Sequence, residues 1–108
     1  MGMPIEVRDR WVAALRSGEY EQGSGCLKDY LGRFCCLGVL SDVLGADLDT
    51  RDERGCVPGM YGGVNYGPEV LFAVLPDEEE RRDLASLNDE GKTFAEIADY
   101  IEQNVPVS

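Results

Sequence analysis

The sequence predicts an α+β fold in which a short antiparallel β-hairpin packs on a buried central helix, with N- and C-terminal helices flanking it. Apolar residues recur at helical spacing near both ends of the chain. A glycine-interrupted segment, 20–34, is typical of a hairpin, and the segment that follows it is almost entirely apolar. With 108 residues, 44% of them hydrophobic, the chain has the size and composition of a single domain, 1–108.

The first predicted element is a helix over residues 4–17. Val7, Trp11 and Leu15 recur every four residues, so they share one face of such a helix. Gly18 is expected to end it, because a residue without a Cβ adopts the left-handed conformation that closes many helices.

The predicted hairpin occupies residues 20–34. Its turn is expected at Asp29–Gly32, where short polar and glycine residues favour a reversal of the chain. Gly23 and Gly25 permit a bulge or a close approach of another backbone segment.

Residues 35–44 predict the central helix, because apolar side chains cover most of its circumference. Gly38 lowers helix propensity by about 1 kcal/mol relative to alanine, which indicates that another backbone packs closely there. Gly45 is expected to end the helix. The following glycine-rich stretch, 45–67, is predicted to be a loop insertion, and loops of this length are usually functional or mobile.

Three helices are predicted in the last part of the chain. Residues 68–75 form a short apolar helix, Asp77 caps the next helix, and Thr93 with Glu96 forms a capping box at the start of the last one. Six side chains from the terminal and central helices are expected to share one core: Trp11, Leu37, Leu40, Phe94, Ile97 and Ile101.

A formal net charge of −11 excludes some classes of partner. Such a chain repels phosphate at long range, so binding to nucleic acid or to an anionic membrane is not expected. No stretch has the roughly 20 apolar residues of a membrane span, and the N-terminus lacks a basic and apolar leader, which predicts a cytoplasmic protein. The acidic run 77–83 is either a solvated helix face or a docking surface for a basic partner.

The cysteines favour no metal site and no disulfide framework. Cys35 and Cys36 are adjacent, which suits free thiols in a reducing compartment, and the spacing of all four differs from that of zinc sites. No metal and no cofactor is therefore predicted. Cys36 at a helix N-terminus is expected to have a lowered pKa and to be a nucleophile, or else to be a small core residue. The absence of histidine excludes a cysteine–histidine pair.

Polar and aromatic residues outside the predicted core are candidates for binding a ligand or a partner. Asn88 and Asp89 join two helices and can line a small pocket beside the hairpin, and the tyrosines can stack on a nucleobase. An anionic ligand would require Lys28, Arg33 or Arg51 to converge. The candidates are Tyr20, Gln22, Gly25, Tyr61, Asn65, Tyr66, Asn88 and Asp89.

Several blocks in combination resemble a family of small uncharacterised proteins encoded by bacteriophages, and are also similar to actinobacterial proteins. These blocks are WVAALRSG at 11–18, FCCLGVL at 34–40, LND at 87–89 and EIADYIE at 96–102. The resemblance implies a viral origin and a shared core, and it carries no established activity or catalytic residues.

Three functions are compatible with these observations. The leading expectation is a non-catalytic phage accessory protein that acts in the bacterial cytoplasm, where it binds and modulates or inhibits a host protein with a basic surface, in host takeover or defence evasion. The second is a protein that binds or sequesters a small ligand such as a nucleotide signal. The third is a histidine-free enzyme that uses a thiol or a pair of carboxylates. The sequence leaves the oligomeric state open.

Overall fold

The protein is mostly helical in the computed structural model, which describes residues 3–23, 27–46, 60–61, 64–65 and 69–107. The helices are α1 (Ile5–Arg16), α2 (Cys36–Val43), α3 (Glu69–Val74), α4 (Glu78–Asp89) and α5 (Phe94–Asn104). Two strands of two residues each, β1 (Met60–Tyr61) and β2 (Val64–Asn65), pair antiparallel. The rest of the predicted 45–67 loop, apart from Gly45 and Ala46, lies outside the described residues.

The predicted α+β fold with a hairpin over residues 20–34 is wrong. The described part of this segment contains no strand, and only isolated bridges join Phe34 to Gln22 and to Lys28. Gln22 and Phe34 pair in parallel, whereas the two arms of a hairpin run antiparallel. The carboxylate of Asp29 also accepts hydrogen bonds from two backbone N–H groups of the turn, those of Leu31 and Arg33. These bonds favour a compact turn over a strand ladder.

Two details of the same segment are confirmed. The chain reverses at Asp29–Gly32, where the Gly32 N–H donates to the Asp29 carbonyl at 3.0 Å and Gly32 has a φ of +79°. Gly23 lies against another part of the chain, because a Cβ at this position would be 2.8 Å from the Cβ of Arg33. Gly25 lies outside the described residues.

The buried central helix is confirmed as α2. Residues 36–41 are all buried, and α2 contacts α1, α3 and α4. The close approach predicted at Gly38 is also present, since a Cβ there would lie 1.9 Å from the carbonyl oxygen of Leu27. Any side chain at position 38 would therefore force α2 away from the 27–35 segment.

The predicted start signals of the last two helices are confirmed. The side chain of Asp77 accepts a hydrogen bond from the Glu79 N–H at 2.9 Å, which caps α4. At the start of α5, Thr93 and Glu96 each accept a hydrogen bond from the other's backbone N–H, at 3.2 and 3.1 Å. α5 then packs against α1 and α4.

The predicted core is confirmed, since all six expected side chains belong to one buried cluster. Trp11, Leu40, Ile97 and Ile101 are completely buried in it. In the part of the chain that the structure describes, no helix combines the length and the apolarity needed to cross a membrane.

We expect Leu40→Ala to lower the free energy of unfolding by about 2–5 kcal/mol, because it leaves a cavity in a core that cannot fully collapse. Leu31→Ala is the matched control, since the Leu31 side chain is exposed. Urea unfolding of both variants measures the difference. Equal stability of the two variants would contradict the placement of Leu40.

Candidate functional site

Asn88, at the end of α4, joins three separate parts of the chain. Its side chain is 3% exposed, and its Oδ1 accepts hydrogen bonds from the Cys36 N–H at 3.2 Å and from Gln22 Nε2 at 3.0 Å. Its Nδ2 donates to the carbonyl of Gly23 at 2.7 Å. Gln22 Nε2 also donates to the Lys92 carbonyl at 2.6 Å. We call Gln22, Gly23, Cys36, Asn88 and these bonds the Asn88 cluster.

An open cleft of about 340 Å³ lies beside the Asn88 cluster. Three of the predicted candidates, Gln22, Asn88 and Asp89, line this cleft together. Among the described residues, Gly23, Arg33 and Gly91 also line it, and sequence reasoning had not selected them as a set. The cleft therefore combines amide groups, one guanidinium and one carboxylate.

Arg33 is held in the cleft by Asp29. Its Nε donates to Asp29 Oδ2 at 2.7 Å, and the guanidinium makes no other hydrogen bond within the described residues. Burial would raise the pKa of the Asp29 carboxyl, but the hydrogen bonds from Arg33 and Leu31 outweigh burial and lower it. Asp29 thus stays ionised and leaves the terminal nitrogens of Arg33 available to a ligand.

Tyr20 lies outside the lining of the cleft. Its hydroxyl donates to Asp42 Oδ2 at 2.5 Å, and its ring meets the ring of Phe34 edge-on with the centroids 5.0 Å apart. Burial, together with this hydrogen bond, raises the pKa of Tyr20 to about 12. Lys28 Nζ lies 5.4 Å from the centroid of Phe34, so this cation is also outside the lining. Both side chains are engaged in packing around Phe34.

The remaining predicted candidates do not add to the described site. Tyr61 and Asn65 lie in β1 and β2, and Gly25, Tyr66 and Arg51 lie outside the described residues. Within the described ranges, no three side chains of the cysteine, aspartate or glutamate type come together as metal ligands would.

The expectation of a lowered pKa at Cys36 is wrong. Its thiol is completely buried and donates to the Leu84 carbonyl at 3.4 Å. Burial raises the pKa of Cys36 well above its usual value, and it raises that of Cys35 to about 11. Desolvation of a thiolate inside the core exceeds the effect of the helix N-terminus. The alternative interpretation, a small core residue, is confirmed.

A second concave surface lies between α4 and α5. It has a volume of about 190 Å³ and is lined by Leu87, Ile97 and Tyr100, with Lys92 and Glu96 as its charged lining residues. Burial raises the pKa of Tyr100, and the negative charges of Asp83 and Glu80, two carboxylates of α4, raise it further. We call these seven residues the acidic groove.

Glu80 and Asp83 of α4 differ from Asp99 and Glu102 of α5 in whether they form ion pairs. Arg16 of α1 donates to Asp99 at 2.6 Å and also to Glu102, so that its one positive charge is shared by the two carboxylates. Glu80 and Asp83 take part in no ion pair within the described ranges. Burial raises the pKa of Glu80, and the charges of Asp77 and Asp83 raise it further. Glu80 and Asp83 are therefore two carboxylates of α4 that no ion pair of the described residues compensates.

The comparisons with known proteins assign a family. Residues 3–56, half of the chain, match the family described as Domain of unknown function (DUF8296), and the chain belongs to this family. The matched range contains α1, the Asp29 turn and α2. No curated protein and no solved structure matches the chain.

We expect Cys35 and Cys36 to react with a soluble disulfide reagent only when the protein opens, because both thiols are buried and protonated at neutral pH. The measurement uses a Cys26→Ser/Cys56→Ser variant, so that Cys35 and Cys36 are the only thiols that can be labelled. Labelling should speed up by orders of magnitude in unfolding concentrations of urea. Rapid labelling of folded protein at pH 7 would instead indicate an accessible thiolate.

Proposed function

We propose that this chain is a non-catalytic phage accessory protein that binds a basic segment of a host protein in the bacterial cytoplasm through the acidic groove. Binding would modulate or inhibit that host protein, in host takeover or defence evasion. The observation that carries the proposal is an apolar pocket lined by Leu87, Ile97 and Tyr100, on a helix pair whose α4 also carries Glu80 and Asp83 without an ion pair among the described residues.

The groove suits one kind of partner surface. Leu87, Ile97 and Tyr100 provide apolar area for a large side chain, and burial of such area gives affinity. Glu80 and Asp83 attract lysine or arginine next to that side chain, and charges of this kind increase the rate of association and select the partner. A segment with one large apolar residue between basic residues fits both features. The net charge of −11 adds long-range attraction for such a partner.

The test compares two variants with the same net charge. Glu80→Gln/Asp83→Asn neutralises the groove, and Glu6→Gln/Glu21→Gln removes two exposed carboxylates elsewhere. Since burial raises the pKa of Glu80, a neutral side chain there is compatible with folding. We expect the wild-type chain and the control to retain the same host protein from lysate at about 0.1 M salt and to release it at about 1 M salt, where charges are screened within about 3 Å.

The groove variant should retain that protein at least about tenfold less, which corresponds to about 1.4 kcal/mol. If no host protein is retained at low salt, or if the groove variant retains it as well as the control does, the proposal is wrong. Isothermal titration with the purified partner then gives the dissociation constants for the three chains.

A second candidate function is supported by the cleft beside the Asn88 cluster, which brings three predicted candidates together with Arg33. We propose in this case that the protein binds a small ligand such as a nucleotide signal. Arg33 offers its terminal nitrogens to a phosphate, and the amide of Gln22 offers a hydrogen-bond acceptor to a base. Asp89 opposes an anion at the same place, so Arg33 has to carry the recognition.

Thermal-shift measurements with a panel of nucleotides test this second function. A ligand at about 100 times its dissociation constant stabilises the folded state by about 2.7 kcal/mol, which raises the melting temperature by several degrees. Arg33→Gln should abolish the shift, whereas Lys28→Gln, an equal change of charge outside the cleft, should retain it. Each shift is measured against the variant's own melting temperature. A panel without any shift, or a shift that survives Arg33→Gln, would contradict this function.

A further inference from the structure

The cleft beside the Asn88 cluster is lined by side chains of opposite charge. Arg33 and Asp89 both line it, together with the amide of Gln22. Its volume of about 340 Å³ lies within the range of pockets that bind small molecules, and such pockets orient a ligand with a few well-placed polar groups. The kind of ligand that suits this cleft therefore has to match a guanidinium, a carboxylate and an amide at once.

Two of these three side chains are held in position by bonds to buried groups. Arg33 Nε donates to the buried carboxylate of Asp29 at 2.7 Å, which leaves the two terminal nitrogens of the guanidinium as donors. Gln22 Nε2 donates to Asn88 Oδ1 at 3.0 Å and to the Lys92 carbonyl at 2.6 Å. The nitrogen of this amide is thus bonded twice, and its oxygen, Oε1, is the atom that can accept from a ligand. Side chains fixed in this way lose little conformational entropy on binding.

The charges of the cleft favour a ligand that is neutral overall. Asp29 already compensates Arg33, and Asp89 adds a second carboxylate. The net charge of −11 repels an anion at long range. A zwitterion avoids this repulsion, because its carboxylate binds the guanidinium while its ammonium is attracted by Asp89. A carboxylate has about four positions that accept hydrogen bonds, so Asp89 can receive an ammonium beside the contacts that it already makes.

We infer that the cleft binds a free α-amino acid in its zwitterionic form. The carboxylate of the amino acid accepts from the terminal nitrogens of Arg33, and its ammonium donates to Asp89 and to Gln22 Oε1. Both charged groups are attached to one carbon atom, so a single cleft can hold them together. This inference rests on the small-ligand function proposed above, and it names a different class of ligand for the same cleft.

Thermal-shift measurements of the wild-type chain with each of the standard L-amino acids, at about 2 mM, test the inference. At least one of them should raise the melting temperature by several degrees, because a ligand that binds only the folded state stabilises it. Two derivatives of that amino acid are the controls. Its N-acetyl derivative lacks the ammonium and its amide lacks the carboxylate, and each should bind at least about tenfold more weakly in a titration.

A pair of variants provides the second readout. Asp89→Asn and Glu90→Gln each remove one carboxylate from neighbouring exposed positions, and of the two residues Asp89 alone lines the cleft. Asp89→Asn should weaken binding of the same amino acid at least about tenfold, whereas Glu90→Gln should bind it as wild type does. A panel without any shift, a derivative that binds as tightly as the amino acid, or equal affinities of the two variants would overturn the inference.

Nucleotides measured under the same conditions separate this inference from the function on which it rests. A shift with a nucleotide and none with any amino acid would overturn the inference and retain the small-ligand function. The absence of a shift with both classes of ligand would contradict the inference and that function together.

Discussion

The N-terminal end of α2 is buried, and the need to bond its backbone polar groups determines much of the structure. The first N–H groups of a helix have no partner within the helix, and leaving one unbonded in a core costs about 1–3 kcal/mol. Here the Cys36 N–H donates to Asn88 Oδ1, and the Gly38 N–H donates to the sulfur of Cys35. Trp11 Nε1 donates to the Cys36 carbonyl at 2.9 Å, which joins α1 to the same helical turn. Partners from distant parts of the chain thus meet at one buried helix end.

The same bonds position the surfaces to which we assign functions. Asn88 fixes the end of α4 against Gly23, and Gln22 fixes the start of the α5 segment through the Lys92 carbonyl. The cleft lies on one side of these contacts and the acidic groove lies between the two helices that they connect. Asn88 is therefore a positioning residue, whereas our proposals assign the contacts with a ligand or a partner to Arg33, Glu80 and Asp83.

Features that depend on neighbouring residues could be predicted from the sequence. Helical spacing identified the core, and the caps at Asp77 and Thr93 have the expected partners because a capping side chain and the backbone N–H that donates to it lie within three residues. The close approach at Gly38 was also predictable, since a glycine inside a helix indicates contact with another backbone. In these cases the physical cause lies in residues close together in the sequence, or in the identity of a single residue such as Gly38.

Features that depend on distant residues could not be predicted in the same way. The glycine pattern of 20–34 is compatible with a hairpin, whereas in the structure Gln22 pairs with Phe34 in parallel and Gln22 and Gly23 bond the distant Asn88. The pKa of Cys36 depends on how completely the core covers its thiol. The extent of this burial cannot be predicted from the residues next to Cys36 in the sequence. The meeting of Gln22, Asn88 and Arg33 in one cleft likewise depends on chain segments far apart in sequence.

The free energy of unfolding of Asn88→Leu tests this account most directly. The substitution keeps the side-chain volume about the same and removes the hydrogen bonds of the Asn88 amide. Asn104→Leu is the control, since the Asn104 side chain is exposed and bonds only the Tyr100 carbonyl within its own helix. We expect Asn88→Leu to lose about 2–4 kcal/mol, because the Cys36 N–H and the Gly23 carbonyl lose their partner. A loss within about 0.5 kcal/mol of the control would contradict the central role of the buried helix end.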